Sequence, residues 1–112
     1  MLHSVEGLLW ILKSERNFKI HLIALVINIV LLIVLKVNST DCALILGVCF
    51  LVLITEALNT CIEKICDFIQ PEKDNRIKII KDLGAGAVLL ASICAIIIGS
   101  LVYYNYISTL FK

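Results

Sequence analysis

From Leu83 to Tyr106 the chain carries no charged residue. As a helix, such a stretch crosses the roughly 30 Å hydrocarbon core of a bilayer. Nothing else in the sequence limits the fold as strongly, and two further apolar runs repeat the signal. One extends from Ile20 to Leu35. The other begins at Cys42 (CALILGVCFLVLI, to Ile54) and continues as helix to Ile69, where Pro71 stops it by lacking an amide and crowding the preceding turn. Hydrophobic residues make up 61% of the chain, against about half in a soluble domain, so there is too little polar surface to cover a water-facing globule. The expectation is an all-α integral membrane protein, residues 1–112 forming one domain with membrane helices over 20–35, 42–69 and 83–106.

The connecting segments fit that plan. Leu8, Leu9, Ile11, Leu12 and Phe18 are spaced as one face of a helix among charged neighbours, so residues 1–19 read as an amphipathic helix lying at the interface. Lys36 to Asp41 reads as a short polar turn and Glu72 to Asp82 as a charged segment. Tyr103, Tyr104 and Tyr106 sit where interfacial aromatics belong. Lys13, Arg16, Lys19, Lys64, Lys73, Arg76, Lys78 and Lys81 fall on one side of the spans, and only Lys36 and Lys112 on the other. By the positive-inside rule the crowded side is cytoplasmic, which puts the N-terminus inside and the C-terminus outside. Ala87, Ala91, Ala95 and Gly99 form a small-residue row suited to close helix packing. Three thin spans have little to pack against alone, so an oligomer is expected.

Several classes drop out. The five cysteines form no CxxC pair and sit mostly in apolar helix, which argues against a metal or disulfide framework. Charges at Glu6, Lys13 and Glu15 break any signal-peptide core. With no basic run interleaved with aromatics, nucleic acid is not an expected partner. A Walker-type phosphate loop is absent, and Gly84-Ala85-Gly86 opens a span and reads as close packing.

What remains is the stretch TEALNTCIEKICD, Thr55 to Asp67. Glu56, Asn59, Glu63 and Asp67 are offset by three, seven and eleven residues, within an arc of roughly 80° on one helix face. Ionisable groups at membrane depth are costly and are functional by default. Glu15 precedes the first span, and Lys81 and Asp82 precede the third. Carboxylates with a lysine at one boundary suit a hard divalent cation and a polyphosphate. His21 and Asn28 are lone polar residues on the first span. Their simplest roles are an interfacial hydrogen bond and a bond across helices.

The segments ERNFKIH (Glu15–His21), EALNTCIEKICD (Glu56–Asp67) and IKDLGAGAVLLA (Ile80–Ala91) resemble the prokaryotic diacylglycerol kinase family, which includes undecaprenol kinases. The likeness runs from about Gly7 to Gly99. It implies three transmembrane helices with an N-terminal interfacial helix, assembled as a homotrimer with active sites shared between subunits. It also implies transfer of the γ-phosphate of ATP, with Mg²⁺, to the hydroxyl of a membrane lipid, either undecaprenol or diacylglycerol. By matching positions, Glu56 is the general base and Asn59 the motif asparagine, Glu15 and Glu63 the metal-binding carboxylates, and Lys81 and Asp82 a nucleotide-binding pair. Asp67 and the loop residues Glu72, Lys73 and Asp74 also meet the nucleotide. A competing reading from the residues alone is a small proton-coupled transporter using Glu56. It needs one deep carboxylate rather than several acids and a lysine at one boundary. A non-catalytic assembly subunit would need no acidic face at all.

Overall fold

A computed structural model describes residues 1–111, so Lys112, counted above with Lys36, lies outside the described residues. Four helices follow one another: α1 (Leu2–Ser14), α2 (Arg16–Val34), α3 (Ser39–Ile69) and α4 (Asn75–Leu110). Among the described residues there is no strand. α2, α3 and α4 are each long and apolar enough to cross a membrane. α3 has 31 residues and α4 has 36, or about 46 and 54 Å of helix at 1.5 Å per residue. Both therefore exceed the bilayer core. The second half of α3 and the first turns of α4 run on past the apolar stretch as one paired hairpin, instead of ending where the charges start.

The helix ends follow from local chemistry. α1 and α2 are separated by Glu15 alone, which is C-cap to one and N-cap to the other with extended backbone (φ −106°, ψ 113°). Its amide donates to the Ile11 carbonyl, and its own carbonyl accepts from Lys19. Residues 15–19, expected as the tail of the interfacial helix, instead turn the corner and begin the first span. α2 ends with Lys36 at φ 53°. The Val37 amide reaches back to Leu32 and the Lys36 amide to Ile33, a left-handed C-terminal cap that glycine usually supplies. Val37 then packs on Leu32, which seals the cap. Asn38 caps α3 by accepting from the Asp41 amide at 2.9 Å, so the helix starts at Ser39, three residues before the expected start at Cys42. Gln70, before Pro71, leaves the helical region (φ −141°, ψ 87°), as a residue preceding proline is disfavoured there.

α3 is central, packed on both α4 and α2. Two buried clusters fix this arrangement. Ile11, Phe18, Leu25 and Leu53 bind α1 and α2 to α3, and the Lys64 ammonium lies 5.4 Å from the Trp10 ring centre as a second tie between α1 and α3. At the opposite end Leu32, Ile45 and Val102 join α2, α3 and α4. There two of the three tyrosines turn inward instead of marking the interface. The Tyr103 hydroxyl donates to Asn28 Oδ1 at 2.7 Å, which is the cross-helix role expected of Asn28. The Tyr106 hydroxyl donates to Asp41 Oδ2 at 2.9 Å and accepts from the Asn38 amide. Only Tyr104 stands out, 72% exposed. The small-residue row is also divided. Ala91 is buried in the α3–α4 seam, whereas Ala87 is exposed and nothing lies within 4 Å of where a Cβ on Gly99 would sit.

The tightest approach in that seam is at Gly84, where α4 passes directly over the Asn59 side chain of α3. A Cβ there would overlap Asn59 Oδ1, whereas one on Gly86 would meet nothing. Of the GAG pair, therefore, Gly84 alone serves close packing. Gly84→Ala is expected to lower thermal stability by about 1–3 kcal/mol, and Gly86→Ala to leave it within about 0.5 kcal/mol; thermal unfolding in detergent compares the two.

The turn into α4 yields a pH expectation. Asp74 caps α4 by accepting from the Arg76 amide at 2.8 Å, and its carboxylate also pairs with the Arg76 guanidinium at 3.0 Å. Hydrogen bonds from that side chain, then from that amide, hold the Asp74 carboxyl at about 2, below the usual value near 3.9. A carboxyl depressed in the folded state contributes stability above its ordinary value and loses it as the pH falls through its folded value. The first turn of α4 should therefore loosen between about pH 4 and pH 2, read as faster amide exchange at Arg76 and Ile77. In Asp74→Ala the exchange at these amides should already be fast at pH 6.

Candidate active site

α3 presents its polar residues as a ladder. Thr55 ends the apolar run, and from there Glu56, Asn59, Glu63 and Asp67 recur about once per turn on the side facing α2 and α4. Eleven residues of helix place Glu56 and Asp67 about 16 Å apart along the axis. The ladder descends from a buried carboxylate to an exposed one. Glu56 is 7% exposed and Asp67 is open to solvent.

Each rung has its own partner. The Glu56 carboxylate lies 3.2 Å from His21 Nε2 of α2. One turn later, the Thr60 hydroxyl donates to the Glu56 carbonyl at 3.0 Å. Asn59 Nδ2 leans towards Glu63 Oε1 at 3.4 Å, while Asn59 Oδ1 is buried against Gly84 without a hydrogen-bond partner. Asp67 takes the Lys81 ammonium of α4 at 2.5 Å. Asp82, one residue on, pairs with Lys78 at 2.7 Å on the same helix, so the Lys81–Asp82 pair is split between two ion pairs.

At the end of the hairpin the turn between α3 and α4 encloses a cavity of about 430 Å³. Glu72, Lys73 and Asp74 line it from the turn, and Lys78, Lys81 and Asp82 from α4. Five expected nucleotide-binding residues thus share one cavity wall. Glu63 and Asp67 sit above it on α3, and Glu15 sits apart, at the α1–α2 corner. Asp74 comes to the cavity with its carboxylate already committed to Arg76 and the helix start, as a residue that fixes the shape of the turn.

Among the described residues no group of three or more His, Cys, Asp or Glu side chains is arranged to hold a metal. The donors present are nevertheless of the kind magnesium selects. Glu63 offers carboxylate oxygens, one of them facing Asn59 Nδ2, whereas Asn59 Oδ1 is turned to Gly84. A magnesium ion takes one or two protein carboxylates and completes its shell with phosphate oxygens and water, which Glu63 matches in kind, while Glu15 lies apart from it at the α1–α2 corner.

Three participants escaped the sequence reading. His21 was assigned an incidental interfacial bond, yet it faces the buried glutamate. Lys78 was set aside as positive-inside bias, yet it lines the cavity and holds Asp82. Thr60 looked like any helix threonine. An ionisable residue inside an apolar helix is itself a signal, and it was available for His21. Nothing in the sequence marked the other two.

The family model for prokaryotic diacylglycerol kinases matches residues 2–103. A diacylglycerol kinase of Synechocystis sp. is 36% identical over 94 residues, which cover 83% of this chain and 54% of that protein. A diacylglycerol kinase of Pseudomonas aeruginosa is 33% identical over 89 residues, covering 80% of this chain and 72% of that protein. The chain therefore spans about half the length of its cyanobacterial relative and nearly three quarters of the other. With a membrane-helix fold, a buried glutamate on α3 and a charged cavity at the hairpin turn, the chain belongs to the prokaryotic diacylglycerol kinase family.

Proposed function

We propose that this chain is a lipid kinase, transferring the γ-phosphate of ATP to the hydroxyl of a membrane lipid at the cytoplasmic face of a bacterial plasma membrane. The observation that carries this reading is the ladder on α3. It joins a carboxylate buried at membrane depth, beside which a lipid hydroxyl can lie, to a charged cavity open to water, where a nucleotide can arrive. The family relationship supplies the reaction class.

Phosphoryl transfer depends on positioning and charge neutralisation more than on covalent chemistry by the protein. Glu56 accepts the proton of the lipid hydroxyl. The hydroxyl oxygen then bonds to the γ-phosphorus as the bridging bond to the β-phosphate breaks, and ADP leaves. Lys81, held by Asp67, supplies a point cation for the charge that develops on the transferred group. Glu15 and Glu63 would hold magnesium, which when bound neutralises phosphate charge. Asn59 orients groups between Glu56 and Glu63 by hydrogen bonding. Glu72, Lys73 and Asp82 border the nucleotide, with Asp74 keeping their turn in shape.

Assembly and orientation belong to the same reading. Many large apolar side chains of α2 and α4 point outward, Leu90 and Ile96 among them, which suits contact with lipid and with further copies in a homotrimer whose sites are shared between subunits. α1 lies on the inner surface as the interfacial helix. The lysine and arginine bias places the α3–α4 turn in the cytoplasm and the end of α4 outside. The acceptor alcohol is undecaprenol or diacylglycerol, with undecaprenol favoured by the likeness of the motifs. A transporter using Glu56 finds no support in the family match, and the charged cavity at the turn has no purpose in it.

Radiolabelled ATP offered with each alcohol in detergent micelles tests this directly. Label should pass to lipid, faster to undecaprenol than to diacylglycerol, and Glu56→Gln should lower the rate by about 10²–10⁴-fold. EDTA should abolish transfer and excess Mg²⁺ restore it. A Glu56→Gln variant at full rate would remove the base assignment.

A further inference from the structure

A carboxylate taken out of water is costly unless it is paired or hydrogen-bonded. Glu56 is that case: its side chain is 9% exposed, and the stretch of α3 just before it, Val52 to Ile54, is apolar. Among the described residues one side chain meets the carboxylate, the His21 imidazole, with Nε2 3.2 Å from Oε1. The contact is not left to a flexible surface residue. His21 lies three residues after Phe18 and four before Leu25, both buried in the cluster that joins α2 to α3. Those positions share one face of α2 at helical spacing, so the packing that docks the two helices also aims the imidazole. His21 is itself about one-third exposed, at the rim of the buried region.

We propose that His21 is a positioning residue for phosphoryl transfer. Its Nε2–H holds one oxygen of the Glu56 carboxylate and leaves the other turned to the lipid hydroxyl. This rests on the reading of Glu56 as the general base. With one oxygen fixed, the carboxylate cannot rotate freely between productive and unproductive orientations, and a base that is misplaced loses rate more than affinity. A purely structural hydrogen bond would affect folding and leave turnover alone, so the two roles separate experimentally.

The test uses the full chain in detergent micelles with Mg-ATP and the preferred lipid alcohol. His21→Phe removes the donor while keeping a planar ring, and the adjoining cavity of about 210 Å³, lined by His21, Ala24 and Asn28 among others, gives the ring room. His21→Gln keeps an N–H donor near the position of Nε2. The expected result is a kcat about 10–100-fold lower for His21→Phe, with KM for ATP and lipid within about threefold, and recovery to within about fivefold of wild type for His21→Gln. An undiminished kcat in His21→Phe would overturn the role, as would an equal loss in both variants or a rise in KM with kcat intact. A second readout needs no activity: side-chain ¹⁵N NMR of the wild type should find the proton on His21 Nε2, with a signal that moves in Glu56→Ala. A bare Nε2, or a signal indifferent to that substitution, overturns the pairing even where His21→Phe does not fold. If wild type phosphorylates no alcohol while the NMR signature is present, the kinase reading has failed, and the catalytic role of the pair fails with it.

Discussion

An acid buried among hydrocarbon must be met by something polar, and much of this structure is arranged around meeting one. Glu56 lies in the interior of α3, where α2 and α4 both pack. α2 meets it with His21, and Phe18 and Leu25 on the same face set the distance. One turn further on, α4 passes so close that a Cβ at Gly84 would overlap the Asn59 side chain. The hairpin of α3 and α4 thus derives its register from polar side chains that have nowhere else to go, as much as from the apolar seam of Ile45, Val52, Ala91 and Val102.

The apolar runs were legible because their length and lack of charge leave a chain few options. Helix ends were less so. The bilayer boundary is written into composition, whereas a helix stops only where a cap or a proline stops it. α4 therefore begins at Asn75, behind the Asp74 cap, and not at Leu83 where charge disappears. The polar face of α3 was readable from spacing alone, since offsets of three, seven and eleven fix a direction on any helix. Its partners were not, because which residue of α2 faces Glu56, or which turn of α4 crosses Asn59, depends on packing between elements distant in sequence. Tyr103 and Tyr106 illustrate the limit well. Their position at the end of an apolar span is what an interfacial belt would give, yet their hydroxyls are spent on Asn28, Asp41 and the Asn38 amide.

Charge along the hairpin is graded as well as placed. At the turn, carboxylates and cations are paired near the surface: Asp82 with Lys78 and Asp67 with Lys81. Such pairs contribute little stability and are readily exchanged for contacts to a charged ligand. Moving inward, the polar groups meet less water, and Asn59 Oδ1 has no partner at all. Electrostatic effects strengthen in the same direction, so a ligand that reaches from the cavity toward Glu56 passes from a screened environment into one where each oxygen counts for more.

The corner at Glu15 has a mechanical side. Because a lone residue separates α1 from α2, and its amide and carbonyl belong to the hydrogen-bond ladders of both helices, no slack exists to absorb a change in the angle between them. A change in the angle between α1 and α2 is therefore carried straight into the backbone of Glu15. Where its carboxylate points is thus set by how α1 docks, through Ile11 and Trp10, on the same helix that carries the rungs.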